Sequence, residues 1–215
     1  MEKVKIAMSL LIFVSFLVSF ISCPMLPEKI VSHWNAKGEP DSYMPRYSVF
    51  FLPMLMLCIA AIFYILPKID PLRENYRLFK KYYDALIISL LLFLLYVHGV
   101  SVAINLGYEI KIGFALLPML SGLFLFLGYL LPKCKRNWFV GIKTPWTMSS
   151  DKVWEKTHRL GGKLFMLFGI YLLFFTLFYS RVAEIFFWIF LTPLILIAAV
   201  LFVYSYLQYV KEVRK

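Results

Sequence analysis

Histidine is the side chain best suited to proton transfer and metal binding near neutral pH, and this 215-residue chain has three. His33 opens the triplet His33-Trp34-Asn35, followed by Gly38, Pro40 and Asp41. His98 interrupts an apolar run, LLYVHGVSVAINLG, with Ser101 and Asn105 on the same helical face. His158 lies in KTHRLGG, within a basic stretch. A metal site could be assembled from His33, His98, Asp41 and Glu109, but their spacing matches no ligand pattern, and neither HExxH nor CxxC occurs. Cys23, Cys58 and Cys134 are dispersed, which gives neither a disulfide framework nor a thiolate site. GxSxG, a Gly-rich phosphate loop and a paired intramembrane Asp are also missing. No metal, cofactor or enzymatic activity is expected.

These residues must be positioned by a membrane scaffold. The chain is 61% hydrophobic and 16% charged, against about 45–50% and about 25% for soluble domains. Six apolar runs, near 4–23, 48–66, 83–104, 112–131, 163–180 and 185–207, approach the ~20 residues that cross a bilayer. Lys3 and Lys5 before the first run resemble the start of a signal peptide. Phe20-Ile21-Ser22 is a poor cleavage box, so this run is expected to stay as a span. The expected fold is all-α and polytopic, with six transmembrane helices.

Charge sets the expected orientation. Of the 23 Lys and Arg residues, only Lys29, Lys37, Arg46, Lys111 and Arg181 fall in the odd-numbered connections between spans. The other 18 fall at the termini and in the even-numbered connections, which places both termini in the cytoplasm. The net charge of +11 then faces anionic lipid and needs no nucleic-acid partner.

The polar stripe His98, Ser101 and Asn105 has two readings. It is a proton or ion pathway or an outer-leaflet pocket, as in a small transporter or channel. Or it makes interhelical hydrogen bonds, worth about 0.6–2 kcal/mol each. Asp84 lies about 20 Å along the helix from His98 and cannot pair with it. In the outer connection, 24–47, the prolines and Gly38 exclude a long helix. His33, Trp34, Asn35 and Gly38 are expected in a turn-rich cap that either meets a partner or anchors the interface.

The connection 132–163 holds eight of the Lys and Arg residues and three of the five tryptophans. Residues 133–148 are basic, aromatic and irregular. Ser149 or Ser150 can cap a short amphipathic cytoplasmic helix over 151–160, between the fourth and fifth spans. Val153, Trp154, Thr157, His158 and Leu160 share one side, and Asp151, Lys152, Glu155, Lys156 and Arg159 the other. Gly161-Gly162 is expected to end it. Its apolar face would meet lipid or the bundle, or dock a protein.

Gly141-Ile142-Lys143-Thr144-Pro145-Trp146-Thr147, then Trp154, Lys156-Thr157-His158-Arg159 and Gly161-Gly162, resembles the signature of the SdpI immunity-protein family. Pro27 to Asp41, with its His-Trp-Asn triplet, resembles a small membrane domain of unknown function found N-terminal to that signature. The resemblance implies a multi-pass protein of a prokaryotic cell membrane, with an N-terminal region over 1–104 and an SdpI-like region over 105–215. It also implies toxin immunity and signal transduction: protection against a secreted peptide toxin, and retention of a cytoplasmic transcriptional repressor at the membrane. The family motif makes Gly141, Thr144, Pro145, Trp146, Trp154, Thr157, His158, Arg159, Gly161 and Gly162 the candidate partner-binding residues.

Overall fold

A computed structural model describes residues 2–35, 37–179 and 185–214. Helix α1 spans Glu2–Ser22, and a hairpin follows, β1 at Lys29–Trp34 and β2 at Pro40–Pro45. Among the described residues the further α-helices are α2 Phe51–Ile69, α3 Asn75–Asn105, α4 Ile112–Leu130, α5 Pro145–Ser149, α6 Asp151–Thr176 and α7 Phe186–Val213. All but α5 are long and apolar enough to cross a membrane, so the six-span, all-α architecture holds. Arg181 lies outside the described residues.

The hairpin corrects the expected turn-rich cap. β1 and β2 run antiparallel, with Lys29 opposite Pro45 and Val31 opposite Tyr43. Prolines at both ends of β2 hid the strand, yet they sit where a strand begins and stops. Asn35 shapes the turn: its Oδ1 accepts the N–H groups of Lys37 (2.9 Å) and Glu39 (3.1 Å). Gly38 supplies the positive φ, +81°.

Helices α3, α6 and α7 are each longer than the hydrocarbon core is thick. At 1.5 Å per residue, the 31 residues of α3 measure about 46 Å against a hydrocarbon core of about 30 Å. Its charged first turns therefore overhang, with a bend at Phe79. The overhang of α6 is the expected amphipathic helix, capped by Ser150, whose Oγ accepts from Val153 N–H. It is not a separate element: the helix runs unbroken through Gly161-Gly162 into the fifth span. Two interior glycines cost about 2 kcal/mol relative to alanine, and close packing explains them. A Cβ on Gly162 would lie 2.6 Å from Gly128 O, and one on Gly161 would lie 2.3 Å from Ile142 Cδ1. On the same α4–α6 seam, Ser121 Oγ donates to Gly169 O at 2.6 Å. Small residues let these two helices approach where lipid supplies no hydrophobic drive.

The bundle has two distinct ends. At one, Asn75 touches Arg136, Asp70 touches Trp138, and Ser150 touches Glu212. The N-terminal Lys5 reaches Tyr64 at this end too. The hairpin, Asn105 and the start of α4 occupy the other end. The heavily basic connections are thus gathered on one side.

Candidate functional site

At the basic end, the chain between α4 and α6 folds into a knot with almost no free polar group. Asn137, fully buried, organises its first half. Its Oδ1 accepts from Phe139 N–H (2.9 Å) and Val140 N–H (2.6 Å), and its Nδ2 donates to Lys135 O and Val140 O, both 2.8 Å. Asp70, 2% exposed, ties this half to the α2–α3 connection by accepting from Trp138 N–H at 2.9 Å and Tyr76 Oη at 3.1 Å. Asn75 Nδ2 donates to Arg136 O at 2.7 Å. Arg136 Nη1 donates to Met148 O (2.7 Å), while its Nε sits 2.8 Å from Asp151 Oδ1 as an ion pair rather than an aligned hydrogen bond.

The second half closes on α6. Trp154 Nε1 donates to Cys134 O at 2.9 Å, and the indole stacks on His158 with centroids 4.0 Å apart. Ile142 N–H donates to His158 Nε2 at 2.9 Å, and His158 Nδ1 lies 2.8 Å from Trp154 O. An acceptor at Nε2 and a donor at Nδ1 define one neutral tautomer. Gly141, with φ +123°, leaves no room for a side chain, since a Cβ there would fall 2.4 Å from His158 Nε2. The Cys134 thiol is buried and burial pushes it up to about 12. Besides Arg136 Nε, Thr157 Oγ1 is the buried side-chain atom without a hydrogen bond among the described residues.

Thr144, Pro145 and Thr147 start α5 as a capping box. Thr147 N–H donates to Thr144 Oγ1 (3.1 Å), and Thr144 N–H donates to Thr147 Oγ1 (2.8 Å). Thr144 Oγ1 also donates to Ser205 Oγ of α7 at 3.0 Å. Trp146 packs edge-on to Phe202 and lies against Tyr206, at 4.9 and 5.1 Å between centroids. A single run of sequence thereby clamps α6 and α7 together.

At the opposite end, Asn105 holds the hairpin. Val31 N–H donates to Asn105 Oδ1 at 2.7 Å, and Asn105 Nδ2 donates back to Val31 O at 3.2 Å. Two cavities flank β1. One of about 600 Å³ is bounded by His33, Trp34, Asn35, Gly113, Tyr179 and Phe190. The other, of about 440 Å³, is bounded by Ile30, Trp34, Val49, His98, Ser101 and Asn105. His33 Nδ1 lies 2.6 Å from Asp41 Oδ1 on the exposed face. His98 is 1% exposed, and its Nε2 lies 3.0 Å from Ser19 Oγ, which donates to Val49 O at 3.1 Å.

Residues 133–205 match the SdpI/YfhL protein family, and residues 10–57 match a domain of unknown function (DUF1648). Over residues 133–205 the chain is similar to the SdpI/YfhL family. It is 28% identical over 169 residues to Immunity protein SdpI of Bacillus subtilis (strain 168), covering 78% of each chain. No solved structure matches the chain. The SdpI/YfhL segment has a physical boundary. It opens at Lys133, takes in the whole knot and ends at Ser205, the residue that accepts the Thr144 hydroxyl.

Within the SdpI/YfhL segment the motif residues divide by burial. Thr144, Trp154, Thr157, His158, Gly161 and Gly162 are buried, while Gly141 and Trp146 are half-buried. Pro145 and Arg159 are exposed. The expected recognition motif is thus mostly interior, and the apolar face of the α6 overhang packs on the protein. The polar stripe is also spoken for: His98 bonds across helices, and Asn105 clamps the hairpin. Sequence reasoning missed Asp70, Asn137 and Ser205. Asn137 carries a faint signal, since Asn readily forms Asx turns. Nothing in the order of residues marks the partners of Asp70 or Ser205.

Proposed function

We propose that this chain is a membrane immunity protein of a prokaryotic cell membrane, with both termini cytoplasmic, that meets a peptide toxin at its outer hairpin. The anchored hairpin carries this reading: Asn105 fixes β1 between two largely apolar cavities, and Trp34 lines both. An apolar peptide presents side chains to such cavities, and an ordered strand accepts it without a folding cost. Tyr43, Met44 and Tyr47 extend the exposed apolar surface beside them.

The cytoplasmic knot supplies the signalling half. Trp138 and Phe139 project at its tip beside Lys143, and Lys152, Lys156 and Arg159 form the outer face of α6. We assign to this face the retention of a cytoplasmic transcriptional repressor, with the buried motif residues as its scaffold. Because His98 and Asn105 are engaged in the framework, a small transporter or channel is the weaker account.

Complementation tests the proposal. The chain should restore survival under toxin challenge to a Bacillus subtilis strain lacking Immunity protein SdpI. Sensitivity equal to an empty vector, with the protein present in the membrane, would refute it.

A further inference from the structure

A third cavity lies at the basic end, between α1, α2 and α3, far from the hairpin and separate from the knot's docking face. It measures about 580 Å³. Met8, Phe63 and Ile87 give it apolar walls, and Tyr76 and Tyr83 form its buried inner side. Its rim is charged. Five cations line it, Lys5, Lys68, Arg73, Arg77 and Lys80, against two carboxylates, Glu74 and Asp84.

The pairing among these groups is incomplete. Lys80 is bonded to Asp84, and Arg77 Nη1 reaches Glu74 Oε2 at 3.2 Å. Arg73 lies 3.9 Å from the same Glu74. Lys5 and Lys68 have no carboxylate partner among the described residues. Instead both ammonium groups lie over one ring, that of Tyr64, 5.1 and 3.7 Å from its centroid. Two like charges gathered at one ring repel, and a bound anion would offset that repulsion. Lys5 lies in the first turn of α1 and Lys68 in the last turn of α2, at the level where lysines reach the headgroup region. An apolar interior under a rim of five cations and two carboxylates fits an amphiphile with an anionic head.

We propose that this cavity is a binding site for one anionic phospholipid, its phosphate held by Lys5, Lys68 and Arg73 and an acyl chain laid along Met8, Phe63 and Ile87. A lipid there would join α1 to the α2–α3 connection and so brace the helices on which the knot rests.

Native mass spectrometry of the full chain in detergent, with equimolar phosphatidylglycerol and phosphatidylcholine, tests the site. Phosphatidylglycerol should be retained preferentially. Lys5→Gln with Lys68→Gln should cut that preference about thirtyfold, which corresponds to ~2 kcal/mol for two interfacial cations. Lys152→Gln with Lys156→Gln, on another face, should leave it unchanged. Equal retention of the two lipids by the wild type overturns the proposal without recourse to any variant. So does full preference in the Lys5 and Lys68 variant. Soluble glycerol phosphate separates headgroup from lipid: it should fail to displace phosphatidylglycerol, and complete displacement at equal concentration would reduce the site to one for free phosphate.

Discussion

Asn105 grips Val31 with both ends of its amide, accepting from the backbone N–H at 2.7 Å and donating to the carbonyl at 3.2 Å. This pair fastens the hairpin to the last turn of α3. Asn105→Leu would leave two backbone groups of β1 unpaired, at a cost of about 1–3 kcal/mol. The expected outcome is faster amide hydrogen exchange across residues 29–34, with exchange in α4 and α6 unchanged. Unaltered protection of β1 would show that the hairpin is held by something else.

Gly141 is required twice, by its φ of +123° and by the His158 ring beside it. Gly141→Ala forces a backbone conformation costing about 1–3 kcal/mol and a clash besides. The variant should lower the melting temperature in detergent and reduce membrane accumulation. Gly122→Ala, where nothing lies within 4 Å of an added Cβ, should do neither.

Trp154 and Lys152 sit two residues apart on opposite faces of α6. Trp154→Asp buries a charge, breaks the bond to Cys134 O and should cost more than about 4 kcal/mol. Lys152→Asp should stay within about 0.5 kcal/mol. Comparing the thermal stability of the two variants checks the buried face directly.

Thiol reactivity reports on the closed knot. Cys134 is 3% exposed and burial raises its thiol to about 12. The thiolate is the reactive species, and a raised value keeps it scarce at pH 8. In detergent, maleimide should leave Cys134 unlabelled. Trp154→Ala should open Cys134 to labelling, because it removes both the covering ring and the hydrogen bond.

The spans were legible because each is a long apolar run, and the two-ended sorting of charge followed from counting Lys and Arg. The α6 overhang was legible from its wheel, down to the Ser150 cap. Gly161-Gly162 misled, since two glycines read locally as a helix end. Their cause is Gly128 and Ile142, residues distant in sequence. His98 and Asn105 looked like one stripe. Their partners, Ser19 and Val31, belong to other elements and give them different jobs. Asp70 and Asn137 went unnoticed for the same reason: a buried polar residue in a loop is defined by what the fold brings to it.

Survival under toxin challenge, read in a sensitive host at matched membrane levels, tests most directly the proposal that the hairpin meets a peptide toxin. Trp34→Ala, which alters both flanking cavities, should abolish protection while the protein accumulates normally. Full protection by the Trp34→Ala protein would contradict the account.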